Sequence, residues 1–190
     1  MHRIAARTLH LSVPALTRRH LLLLAGTVAA AVLTAFATHV RIPLPFSPVP
    51  VTGQTMTVLI AGAVLGPMAG SLSQALFLAL GATGLTVFAG GAFSGVTGGY
   101  LIGFVIAAAL VGFVARRSPS TLVMGIAMAA ASATILICGA AWLCAVQGLS
   151  VGEALAVGVV PFLPGDALKV FGALAVWRAS AGTWRKLTAE

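Results

Sequence analysis

The sequence predicts an all-α integral membrane protein, a single bundle of six transmembrane helices with both termini cytoplasmic. Three observations predict it. Of 190 residues, 59% are hydrophobic and only 7% are charged, whereas soluble domains carry about a quarter charged residues. A hydrocarbon core about 30 Å thick needs roughly 20 apolar residues per helical span, so the chain has room for about six spans and no further domain. Lys and Arg flanking the spans are retained on the cytoplasmic side. With six spans and both ends inside, Arg3, Arg7, Arg18, Arg19, Arg116, Arg117, Arg178, Arg185 and Lys186 lie inside, and only Arg41 and Lys169 lie outside. Adding or removing one span would put a basic cluster on the wrong face. The formal charge of +8 therefore answers to the lipid bilayer. The cations sit at segment ends and are not interleaved with aromatics, so no nucleic-acid partner is expected.

Residues 1–20 form a polar, basic N-terminal segment, and residues 21–190 form one transmembrane domain. The uncharged run 21–40 is long enough to span. An alternative takes Thr17-Arg18-Arg19 and the leucines as an export signal cleaved near Ala35-Phe36-Ala37, but the residues beyond that point are more membrane and not a secreted domain. Residues 42–50 contain Pro43, Pro45, Pro48 and Pro50, which remove donors and block helix, so this stretch is a rigid connection. Residues 54–66 are a short apolar helix ending at Gly66-Pro67. Residues 68–88 form a third span, and 89–99 are too glycine-rich for a stable helix and suit close approach to a ligand. Residues 100–115 and 121–146 are the fourth and fifth spans. The last, 151–179, is interrupted by Pro161-Phe162-Leu163-Pro164-Gly165. Three irregular segments thus share the outer face: the proline-rich stretch, the glycine-rich loop and the break before the final helix.

Small residues recur at a spacing of four, as Gly62, Gly66 and Gly70, as Gly91, Gly95, Gly99 and Gly103, and as Ala25 with Ala29 and Ala31 with Ala35. Lipid tails give helices no hydrophobic reason to associate, so such spacing lets backbones approach. It serves packing within the bundle or docking of another subunit, a second copy in a homo-oligomer included. Cys138 and Cys144, six residues apart on different helix faces, suit neither a metal pair nor a local disulfide and read as small apolar fillers.

Among three acidic residues, Glu190 is terminal and Glu153 falls in an outer loop. Asp166 remains, at the start of the last span, with Lys169 one turn on along the same face. A carboxylate in hydrocarbon is unfavourable by ~2.5–3.5 kcal/mol on insertion scales. The pair has two readings: Asp166 caps the helix while Lys169 neutralises it or snorkels outward, or the two hold a polar ligand, the carboxylate accepting N–H groups and the ammonium engaging a carboxylate or carbonyl. Gln74 is expected to hydrogen-bond between helices, Gln54 and Thr52 to line a site or cap the second helix, and Tyr100 to anchor at the membrane interface or form a wall.

Val49-Pro50-Val51-Thr52-Gly53-Gln54-Thr55, Ala61-Gly62-Ala63-Val64-Leu65-Gly66-Pro67, Val87-Phe88-Ala89-Gly90-Gly91, Thr97-Gly98-Gly99-Tyr100-Leu101-Ile102-Gly103-Phe104 and Pro161-Phe162-Leu163-Pro164-Gly165-Asp166-Ala167-Leu168-Lys169 occur in the order of, and closely resemble, BioY, the biotin-binding S component of energy-coupling factor (ECF) transporters. Thr86 and Val96 stand where the pattern has proline, and the glycine-rich loop is shorter. The resemblance implies a six-helix vitamin-binding bundle in a prokaryotic cell membrane, with biotin as substrate held near the extracellular side. Asp166 would receive ureido N–H groups and Lys169 the tail carboxylate or ureido oxygen. Phe88 with the backbone of Gly90 and Gly91 would line the ring, and Tyr100 and Gln54 would complete the site. It further implies a transmembrane coupling subunit docking on Ala25, Ala29, Ala31 and Ala35, and a pair of ABC-type ATPases.

The chain itself has no phosphate-binding Gly-x-x-x-x-Gly-Lys-Ser/Thr loop, and no cofactor is expected. An intramembrane enzyme would need a nucleophile with a base, yet no Gly-x-Ser-x-Gly elbow is present and His39, the histidine of a predicted span, has no acidic neighbour in sequence. A transporter of another vitamin-like solute is the other reading that an Asp–Lys pair at a membrane rim would serve.

Overall fold

The computed structural model describes residues 17–84, 88–89 and 91–188, without the side chains of Ala181, Trp184, Arg185 and Thr188. Arg3, Arg7, Thr86, Val87, Gly90 and Glu190 of the sequence expectations lie outside the described residues. Helices dominate: α1 (Arg18–Ala37), α2 (Gln54–Leu65), α3 (Pro67–Ala82), α4 (Gly98–Arg117), α5 (Thr121–Gln147), α6 (Val151–Gly158), a single 3-10 turn (Val160–Phe162) and α7 (Leu163–Thr188). A two-residue antiparallel ribbon, β1 (Arg41–Ile42) with β2 (Val51–Thr52), pairs Arg41 with Thr52 and Ile42 with Val51. It closes the proline-rich stretch on itself.

Among the described residues, four helical segments are long and apolar enough to cross a membrane: α1, α4, α5, and the α6–α7 region from Val151 to Ser180. α2 is the short helix expected, and α3 is shorter than expected. At 1.5 Å per residue, α2 is about 18 Å long and α3 about 24 Å. α3 stops at Ala82 and not at 88, because Thr83 and Gly84 close it, Gly84 with φ +89°. α2 is sheltered on several sides by α1, α3, α4 and α7, and Val58, Leu59 and Ala61 on it are buried.

α4 is the axis, in contact with α2, α3 and α5. Close packing explains its glycines: a Cβ at Gly62 of α2 would run into the carbonyl of Ala108, one at Gly112 into the Gly66–Pro67 link, and one at Gly103 would lie 2.8 Å from Ile135 Cα of α5. Gly98 and Gly99, predicted as loop, are the first residues of α4. Their missing side chains make way for Trp142 and for the Cys138 carbonyl of α5, so packing overrides their poor helix propensity. Gly66, with φ +87° between α2 and α3, occupies the left-handed region that disfavours other residues. Hydroxyls add links between helices: Ser71 donates to Val105 O (3.1 Å), and the Thr34 and Thr57 oxygens of α1 and α2 are 3.2 Å apart. α1 carries fully buried Ala31 and Thr34, as a bundle helix does and a discarded leader does not. Glu153, expected in a loop, closes a capping box with Ser150 at the start of α6. Gln74 departs from expectation too: its Nε2 donates within its own helix to Ser73 Oγ (2.9 Å), and its Oε1 has no protein partner.

Candidate functional site

The three irregular segments meet at one place. The residues around a narrow cavity of about 40 Å³ include Val49, Pro50 and Thr52 of the proline-rich connection, Ala89 and Thr97 of the glycine-rich loop, and Phe162, Asp166 and Lys169 at the start of α7. Gln54 and Thr55 of α2, Tyr100 and Phe104 of α4, and Ile135 and Leu136 of α5 complete its walls.

Pro164 sits in the first turn of α7, where a missing N–H costs nothing, and it sets Asp166 and Lys169 on successive turns of one face. Asp166 is 5% exposed. Its carboxylate does not cap the helix: Oδ1 accepts from Lys169 Nζ at 2.8 Å and Oδ2 from Ser132 Oγ of α5 at 2.6 Å. A carboxylate has about four lone-pair sites. With one of the two oxygens held by a cation and the other by a hydroxyl, both retain capacity toward the cavity. A buried ion pair that forgoes hydration must gain from additional bonds, and the cavity is where these can form.

Two further polar groups lack protein partners here. Gln54, 2% exposed, has its Oε1 taken by the Thr52 hydroxyl at 3.1 Å, and its Nε2 is unpaired. Thr97, 5% exposed, has an unpaired hydroxyl. Leaving a buried donor or acceptor unmade costs about 1–3 kcal/mol, so both are groups that a molecule in the cavity could satisfy. Tyr100, the single tyrosine, is buried and does not anchor at the interface. Its hydroxyl donates to Gly158 O at 2.7 Å and its ring lies against Gly139, so it gives the cavity a wall and no spare hydroxyl.

The loop over the cavity is held from behind. Trp142 Nε1 donates to Gly95 O at 2.9 Å, and Phe93 packs edge-on to Trp142. Ser47 Oγ of the proline-rich stretch donates to Val157 O at 2.7 Å. Phe88, expected to line a ligand ring, instead packs behind the cavity against Phe77, Gly81 and Phe93, and Ala89 faces the cavity in its stead. Gly91 is exposed, with φ +85°, and does not line the cavity. The small residues of α1 split between two faces, because six residues turn a helix by about 240°. Ala25 and Ala29 are exposed, Ala35 is half-buried, and Ala31 is fully buried inside the chain and is not available for docking.

Sequence reasoning missed Ser132, Thr97 as a site residue, and the apolar walls Phe104, Ile135 and Phe162. Thr97 belongs to the Thr-Gly-Gly-Tyr run. Ser132 gives no local signal, being one hydroxyl in an alanine-rich helix whose partner is 34 residues away.

Comparison with known proteins decides the family. The sequence pattern of the BioY family matches residues 9–187. The chain belongs to the BioY family. Its similarity to curated BioY proteins extends over most of both sequences: 34% identity with the biotin transporter BioY of Rhizobium etli, over 79% of this chain and 87% of that one, and 39% with the biotin transporter BioY of Rhodobacter capsulatus, over 74% and 83%. Among solved structures, the S component for biotin from an ECF-type ABC transporter superposes with a TM-score of 0.79 at 27% identity, covering 86% of this chain and 92% of that one. As a BioY protein with several membrane-crossing helices, the chain is a multi-pass prokaryotic membrane protein and a transport component, not an enzyme.

Proposed function

We propose that this chain binds biotin in the cavity at Asp166 and delivers it across the membrane as the substrate-binding component of an ECF-type transporter. The observation that carries this reading is the buried carboxylate held by Lys169 and Ser132 and open toward a cavity with an unpaired amide and hydroxyl. Biotin's ureido ring offers two N–H donors and one oxygen, its tail ends in a carboxylate, and its sulfur-containing ring is apolar. Asp166 accepts the two N–H groups. Lys169 engages the tail carboxylate or the ureido oxygen, and Gln54 Nε2 and the Thr97 hydroxyl serve the remaining acceptors. Tyr100, Phe104 and Phe162 pack on the ring. Phe88 and Gly91 act through the course of the loop and not by contact. Ligand pockets run to ~300–1,000 Å³, far above the roughly 40 Å³ here, so binding requires the covering segments to move outward.

The same reading extends to topology. α1 to α5 and α7 make six crossings with both termini cytoplasmic, α2 and α3 tolerated at their length because α2 is largely surrounded by protein. The charge distribution supports this, and in this reading the cavity lies at the extracellular side. Exposed Ala25 and Ala29 form the docking face for a coupling subunit, through which a pair of ATPases supplies energy.

Asp166→Asn and Lys169→Ala test the site. Hydrogen bonds to a charged group are worth about 1.5–3 kcal/mol each, so Asp166→Asn lowers biotin affinity by roughly 100-fold or more by isothermal titration. Lys169→Ala lowers it as well, leaving a buried charge without its partner. Folded variants that bind biotin as tightly as the parent end the assignment. A radiolabelled vitamin panel separates biotin from other vitamin-like solutes.

A further inference from the structure

On the side of the bundle where α5 and α7 meet the bilayer, the two helices part to leave an apolar groove of about 710 Å³. Leu122, Ile126 and Ala129 of α5 face Val170, Phe171 and Leu174 of α7 across it. Leu122, Ile126 and Phe171 are 74%, 62% and 69% exposed. The groove ends at Leu163 and Asp166. At 1.5 Å per residue it runs about 16 Å along α7, from Leu163 to Leu174, and about 22 Å along α5, from Thr121 to Leu136, shorter on both helices than the ~30 Å hydrocarbon core. A partner helix crossing the whole core would need a longer complementary strip, whereas a single acyl chain needs no more. At the open end the charge changes. Arg178, exposed, continues the same stripe of α7 one turn beyond Leu174, and Arg117, its guanidinium 3.2 Å over the Phe113 ring, precedes the first turn of α5. Among the described residues the acids, Glu153 and Asp166, both lie toward the opposite end of these helices.

We propose that this groove is a lipid site, holding one acyl chain of an anionic phospholipid whose phosphate is met by Arg178. The occupant is set by complementarity: an apolar slot shorter than the hydrocarbon core, with a cation one helical turn beyond its end and no acid beside that cation. Asp166 and Leu136 line both the groove and the ligand cavity, and Ser132 lines the groove. The chain end therefore lies against the back of the Ser132–Asp166 bond and keeps water from reaching the carboxylate from the lipid side.

Native mass spectrometry of the detergent-purified protein tests this, with phosphatidylglycerol or phosphatidylcholine of identical acyl chains as probes. One phosphatidylglycerol per chain is expected to survive, retained several-fold better than phosphatidylcholine. Gly125→Leu narrows the groove, since a Cβ there lies 3.5 Å from Leu174 Cδ2, and should cut that adduct several-fold. Arg178→Gln should abolish the preference for phosphatidylglycerol. Biotin binding by each variant reports that it is folded, and Ala129→Phe, at an exposed groove position, replaces Gly125→Leu if the latter misfolds. Equal retention of the two lipids by the parent, or an undiminished phosphatidylglycerol adduct in the folded groove-filling variants, overturns the proposal. So does an unchanged adduct accompanied by lost assembly with the coupling subunit, which would make the groove a protein contact.

Discussion

α1 and α4 are both 20 residues long with nearly equal mean hydropathy, 2.0 and 2.2, yet 11% of the apolar window of α1 is buried in the bundle against 56% of that of α4. Hydropathy sends a helix into the membrane without saying whether protein or lipid surrounds it. The small residues decide. α4 has Gly99, Gly103 and Gly112 where the backbones of α5 and of the α2–α3 link come close, so three neighbours can pack around it. α1 presents Leu21, Leu24, Val28, Leu33 and Phe36 outward, a lipid-facing surface relieved only by Ala25 and Ala29. One helix is the axis of the fold, and the other is free to meet a second protein.

That contrast can be broken experimentally. The largest effect is expected from Gly103→Leu on α4, where a side chain meets the backbone of Ile135 and no flexible tip can yield. Overpacking costs about 1–3 kcal/mol, occasionally more, and here the neighbouring helices must separate, so size-exclusion chromatography should show loss of monodisperse protein and of biotin binding. If the variant remains folded, glycine contacts do not select the central helix. Tyr100→Phe should be intermediate. It removes the bond to Gly158 O without emptying the wall, lowers stability by about 1–3 kcal/mol because a buried acceptor is orphaned, and weakens biotin binding several-fold, read by thermal shift and titration. The smallest structural effect belongs to Ala29→Leu on α1, within about 0.5 kcal/mol as for exposed sites generally. Biotin affinity should be unchanged while uptake in cells containing the coupling subunit and ATPases falls. Unaltered uptake would remove α1 as the docking face.

Much of this arrangement was legible in the residues, and for identifiable reasons. Segment ends are marked by charge and proline, which act locally, so the proline-rich connection, the glycine-rich loop and the break before α7 stand out and do converge. The Asp166–Lys169 pair was legible because one helical turn joins them. Properties that depend on distant neighbours were not. The early start of α4 at Gly98 rests on Trp142 and Cys138 of α5. Ser132 reaches Asp166 only through the α5–α7 crossing. Phe88 illustrates the same limit: its place next to the glycines suggested a ligand contact, but Gly81 leaves a recess behind the loop that the ring fills. Ala31 was placed on one docking face with Ala25 by the family resemblance, and helical rotation separates them.

The bonds from Ser47 to Val157 O and from Tyr100 to Gly158 O share a cause in one imino acid. An uninterrupted helix would use the N–H of residue 161 to satisfy the carbonyl of Val157; Pro161 has none, and Phe162 N–H turns to Val159 O instead. The interruption thus manufactures two vacant acceptors, and remote stretches of chain plug into them. A sequence feature that looks like a defect in one helix is the rivet by which the cover of the cavity and the wall of α4 are fastened to the same point, so a tug on either is felt by the other.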